Sequence, residues 1–122
     1  MKKLAFWKNK VTELPPLNFP TIDNVLFFEN QLTSIDGLAE SLLENVTVIS
    51  LYDNQIKRLP VIKFQLLEKF YIYKNQLEDI ENLQHWETPS LRVLDMNSNK
   101  MSKIPPLYLQ NLTELELSHN KI

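Results

Sequence analysis

The chain has 122 residues, 43% hydrophobic and 23% charged, with a formal net charge of −2; this suits one globular domain and carries no basic footprint for nucleic acid. It contains no Cys, which excludes disulfides, Cys-bound zinc and thiol nucleophiles. No apolar run approaches the ~18 residues needed to cross a bilayer, and the basic start MKKLAFWKNK is too short in apolar residues for a secretory signal, so a reducing, cytoplasmic setting is expected.

Taken from the N-terminus, Met1, Leu4 and Phe6 stand eight, five and three residues before Asn9, and Val11 stands two after it. The same spacing recurs around Asn30, Asn54, Asn75, Asn99 and Asn120, which follow one another at intervals of 21, 24, 21, 24 and 21 residues. An apolar period of two ahead of each Asn predicts six short strands, each buried on one face. Two further apolar sites lie five and eight residues after the Asn: Leu14 and Leu17, Ile35 and Leu38, Leu59 and Ile62, Ile80 and Leu83, Ile104 and Leu107. All thirty-four such positions are apolar, a coincidence with odds below roughly 10⁻¹² at this composition.

The segments that return from one strand to the next alternate in character. Pro15-Pro16 predicts an extended return, and GLAESLLEN (37–45) has helical spacing that sets Leu38, Leu42 and Val46 on one side. Pro60 marks the third return, NLQHWE (82–87) predicts a turn or two of helix with Trp86 in the convex-side core, and Pro105-Pro106 is again extended. With a single Gly, the turns that need positive φ are expected to fall partly to the twelve Asn residues. An Asn side chain offers two donors and an acceptor, so the six register asparagines are expected to bond the turn backbone as a stacked internal ladder.

The pattern L-x-x-L-x-L-x-x-N-x-L resembles that of the leucine-rich repeat family, from end to end of the chain. The short repeats with Pro15, Pro60 and Pro105 are similar to the Leu-Pro type of Ras-pathway scaffolds and some bacterial effectors. The long ones with Asp36 and Glu81 are similar to phosphatase-regulator and internalin types. The resemblance implies an α/β fold: a right-handed solenoid, or horseshoe segment, with short parallel strands on the concave face and alternating extended and helical convex segments. One domain of about six repeats is expected, over 1–21, 22–45, 46–66, 67–90, 91–111 and an incomplete 112–122.

Since side chains alternate along a strand, residues six, four and two before each Asn must face outward. The last of these columns reads Trp7, Phe28, Tyr52, Tyr73, Asn97, Ser118, and the middle one Ala5, Leu26, Ser50, Tyr71, Asp95, Glu116. Folding does not require rings there. Trp7, Leu26, Phe28, Tyr52, Tyr71 and Tyr73 are therefore the expected contacts for a protein or peptide partner, with Asp95, Asn97 and Glu116 selecting a basic segment. Cross-strand stabilisation of the sheet is the competing explanation for the rings. The resemblance also admits a recognition part of a larger enzyme or signalling protein, such as a ubiquitin ligase effector, phosphatase regulator or immune-type sensor.

No catalytic constellation, cofactor motif or metal-ligand spacing is present: His85 and His119 fall on different parts of the repeat, and Asp95 with Glu116 is better explained as a solvated acidic patch than as a divalent-ion site. Asn45-Val46-Thr47 and Asn111-Leu112-Thr113 spell glycosylation acceptors by chance. Apolar repeat positions reach Met1 and Ile122 with no polar cap, so further repeats beyond the chain or end-to-end self-association are expected.

Overall fold

The computed structural model describes residues 2–122; Met1, assigned above to an inward site, lies outside them. Six three-residue strands, β1 (Lys3–Ala5), β2 (Asn24–Leu26), β3 (Val48–Ser50), β4 (Lys69–Tyr71), β5 (Val93–Asp95) and β6 (Glu114–Glu116), form one parallel sheet in chain order. Register is kept throughout, with Leu4, Val25, Ile49, Phe70, Leu94 and Leu115 opposite one another. This is a parallel-strand solenoid of the kind the leucine-rich-repeat resemblance implies: each coil is one strand, one turn and one return, and its apolar face is buried against the coils on either side.

The sites five and eight residues after the Asn supply the opposite wall of the core, where Leu14, Leu17, Ile35, Leu38, Leu59, Ile62, Ile80 and Leu83 are buried against the strand residues. Trp86 completes this wall, meeting Phe70 edge-on at 5.0 Å and donating its indole N–H to Pro60 O at 2.8 Å. The outermost coils have a neighbour on one side only. Phe6, Ile104, Leu115 and Ile122 sit at inward repeat positions and are nevertheless exposed.

The long returns are helical, as short 3-10 segments at Asp36–Glu40 and Glu81–His85. Their extent corrects one expectation. Helical spacing over 37–45 would bury Leu42, but the helix ends at Glu40 and Ser41 is extended (φ −82°, ψ 145°). Leu42 therefore turns outward at 58% exposure, and Leu43 is buried instead. Leu42 is held by a parallel bridge to Asn18 in the preceding coil. A 3-10 turn stacks side chains at every third residue, and one turn cannot carry a helical stripe across nine positions.

The positive-φ expectation is also corrected. Among the described residues the left-handed ones are Lys8, Glu29, Asp53, Lys74, Ser98 and His119, with φ from 54° to 60°, and none is Asn. Each stands immediately before a register Asn, whose side chain clamps the turn while the preceding residue takes the strained conformation. Gly37, the sole glycine, is needed for a close approach: a Cβ there would collide with Leu14 O, with backbone and not a flexible tip in the way.

Candidate interaction surface

The concave face is assembled by the asparagines beneath it. Asn54 Nδ2 donates to Leu51 O (3.0 Å) and Tyr52 O (3.3 Å) in its own turn and to Phe27 O (2.8 Å) in the coil before. Its Oδ1 accepts from the N–H groups of Asn30 (3.2 Å) and Leu32 (3.0 Å). Asn75 repeats the scheme with Leu51 O, Ile72 O and Tyr73 O as acceptors and the Ile56 N–H as donor, and Asn99 does so with Ile72 O, Met96 O, Asn97 O and the Leu77 N–H. Asn30 and Asn120 make the same kinds of bond towards the two ends, whereas the Asn9 side chain donates to Trp7 O (3.0 Å) and its backbone N–H to Asn30 Oδ1 (3.0 Å). Every residue two before a register Asn thus has its carbonyl held by that Asn.

Those clamped residues carry the rings. Trp7 and Phe28 stack with centroids 5.8 Å apart and planes within 14°, Phe28 and Tyr52 at 4.8 Å and 2°, and Tyr52 and Tyr73 at 4.6 Å and 5°. Strands about 4.8 Å apart impose this spacing, so four rings become one column about 14 Å long. Stacking occupies the ring faces. Phe28, Tyr52 and Tyr73 are half-buried, with their edges and phenol groups towards the concave side, while Trp7 at the end of the column is 51% exposed. Burial pushes both the Tyr52 and Tyr73 hydroxyls above the ordinary phenol range. The charges of Glu29 and Asp53 add to this at Tyr52, and neighbouring Tyr52 and Asp95 add to it at Tyr73.

In the middle column Leu26 and Tyr71 are half-buried, and Ser50, flanked by both in the sheet register, is only 6% exposed. Val93, another outward position, is also buried, beside Lys69 and Glu114. Facing the concave side is therefore not the same as being open to solvent: a small residue between larger cross-strand neighbours is covered by them.

Beyond Tyr73 the face becomes acidic. Asp95 lies opposite Glu116, and Asn97 donates from Nδ2 to Glu116 Oε2 (2.7 Å) while its Oδ1 accepts from the Ser118 N–H (2.7 Å) and Oγ (2.8 Å). Burial, chiefly, and then the charges of Glu116 and Glu114 hold the Asp95 carboxyl above its ordinary range, against the opposing pull of the Asn97 N–H bonded to it. Sequence reasoning passed over Glu29 and Asp53, which border the phenols; their signal was their place between ring and Asn. It also missed a second use of Asn on the convex side, where Asn45 and Asn111 donate to Pro20 O and Pro89 O at 2.6 Å and Asn82 to Leu59 O at 2.8 Å.

Among the described residues no group of three or more His, Cys, Asp or Glu is placed to hold a metal ion, and no helix is long and apolar enough to cross a membrane. His85 is exposed on the convex side and His119 occupies the left-handed turn position of the last coil. Residues 89–122 match the family described as Leucine Rich repeats (2 copies). No curated protein and no solved structure matches the chain. Leucine-rich repeat domains are in general protein–protein interaction modules. With that match over its last coils and six strands locked in one register, the chain is similar to the leucine-rich repeat family and has a parallel-strand solenoid fold consistent with it.

Proposed function

We propose that the chain binds a protein or peptide partner across the concave face of its sheet. The observation that carries this reading is the continuous column Trp7–Phe28–Tyr52–Tyr73 on a face that passes into the carboxylates of Asp95 and Glu116. Leu26 and Tyr71 widen the apolar strip. Because the rings already stack on one another, they lose little freedom when a partner arrives, which favours affinity. The partner meets ring edges and phenol hydroxyls, contacts suited to aliphatic side chains and backbone carbonyls. Its basic residues fall over Asp95, Asn97 and Glu116, which fixes direction along the groove.

The near-parallel ring planes also favour a second reading, in which the column serves the sheet alone. A Tyr52→Ser/Tyr73→Ser double variant separates the two. Its thermal melting is compared with its calorimetric affinity for a peptide selected by display on the parent chain. The interaction reading predicts at least about a thirtyfold loss of affinity with the fold retained. A large fall in melting temperature with affinity unchanged for the folded fraction rejects it.

A further inference from the structure

The repeat dictates that residues two before each Asn lie side by side, but not that two consecutive ones be phenols. Reading that column as Trp7, Phe28, Tyr52, Tyr73, Asn97 and Ser118, only Tyr52 and Tyr73 are neighbours with the same oxidisable group. Their rings are also the closest in the column, with centroids 4.6 Å apart and planes within 5°. Among the described residues no other two of the four tyrosines stack. Tyr71 has Ser50 and Asp95 as its sheet neighbours, and Tyr108 stands 71% exposed in the fifth return.

Backbone holds the pair in place. Asn54 donates to Tyr52 O (3.3 Å) and Asn75 to Tyr73 O (3.2 Å), while the Asp53 N–H also donates to Tyr73 O (3.1 Å). A phenol that loses one electron and a proton carries its unpaired electron on oxygen and on the ortho and para carbons. Two such radicals couple through overlap of their π orbitals, which requires the rings to meet face to face. Stacking that denies these faces to a partner thus serves this reaction. Phe28 covers the other face of Tyr52 at 4.8 Å, and a phenoxyl radical does not oxidise a phenyl ring, so Phe28 shields without quenching. The chain has no Cys to reduce a radical, and Met96 and Met101 are fully buried. Burial keeps both phenols protonated at neutral pH, so each electron leaves together with a proton.

We propose that Tyr52 and Tyr73 are a modification site, at which a one-electron oxidant joins the two rings as dityrosine and ties the third coil to the fourth. Two equivalents of the oxidant take one electron each, the two hydroxyl protons pass to water, and a carbon–carbon bond forms between ortho positions. The ring hydrogens at the joined carbons then move as protons to the two oxygens and restore both phenols. The net change is the loss of two hydrogen atoms. Because the rings are already stacked, coupling within a chain outruns coupling between chains, whose phenols must first meet by diffusion. The bond constrains the unfolded chain as a disulfide would, in a sequence with no Cys to make one.

Irradiation with a ruthenium tris-bipyridine sensitiser and persulfate, which together supply a one-electron oxidant, tests this. Dityrosine fluorescence, intact mass and a protease map are read on the monomer fraction. The expected product is a monomer lighter by two hydrogen atoms with Tyr52 joined to Tyr73, its yield per chain constant over about a tenfold range of protein concentration. Tyr52→Phe and Tyr73→Phe keep the ring and lose the hydroxyl, and each should lower the monomer's dityrosine at least about tenfold. Tyr71→Phe and Tyr108→Phe should leave it unchanged, and circular dichroism checks that all four variants fold. A parent monomer without the mass loss overturns the proposal. So do cross-links that run mainly between chains through Tyr108, or monomer dityrosine that persists in Tyr52→Phe.

Discussion

The smallest unit that explains the molecule is a pair of residues: a register Asn and the residue before it. Asn75 is buried, and its amide serves four backbone groups in two coils. Leu at that position fits the volume but serves none of them: the Ile56 N–H loses its partner, and the Leu51, Ile72 and Tyr73 carbonyls each lose one of two. Asn75→Leu should cost on the order of 1–3 kcal/mol in chemical denaturation, and an unchanged midpoint would show that water replaces the ladder without penalty. The asparagines were legible in the sequence because their chemistry demands a fixed register. Their left-handed companions were not, because Lys8, Glu29, Asp53, Lys74, Ser98 and His119 share no side-chain property. The hydrogen-bond frame imposes the conformation, at a cost of roughly 1–2 kcal/mol for each residue, and local preference has no vote.

Among elements, strands were easier to read than returns. A strand of period two buried on one face leaves no freedom of phase, so Leu4, Val25, Ile49, Phe70, Leu94 and Leu115 could be aligned from spacing alone. The returns follow bridges between coils, such as Asn18 with Leu42 and Lys63 with Glu87, which no local period encodes. The columns of the concave face were legible too, but not the burial of Ser50 and Val93, which depends on the size of neighbours in other coils. Asp95 shows what such packing does to a charge. Its folded-state pKa is raised, so the associated stability is fully present below the ordinary value of 3.8 and is lost as pH rises through the raised value. At neutral pH the charge therefore destabilises the sheet. Asp95→Asn, which can still accept the Asn97 N–H, should raise stability at pH 7 by about 0.2–1 kcal/mol, with the gain vanishing below the carboxylate range. Thermal melts at pH 7 and pH 3 check this; no gain at pH 7 would mean that the carboxylate is adequately solvated where it stands. If the same variant binds a basic peptide less tightly, the strained charge belongs to recognition.

For the whole molecule, stacking makes stability a property of position along the solenoid. Each coil contacts only its neighbours, so β3 and β4 are supported from both sides, whereas β1 and β6 are supported from one. The largest fully buried side chains lie between Leu32 and Leu77, and every residue of β6 is exposed. Opening should therefore begin at the ends and cost little there, while the middle opens only with the whole stack. In native-state hydrogen exchange at low concentration, the amides of Leu51 and Ile72, bonded to Tyr71 O and Asp95 O at 2.7 and 2.9 Å, should be among the slowest. Those of Phe6 and Ser118 should be orders of magnitude faster. Equal protection along the chain would mean that the coils unfold as one cooperative block, and the nearest-neighbour account would fail.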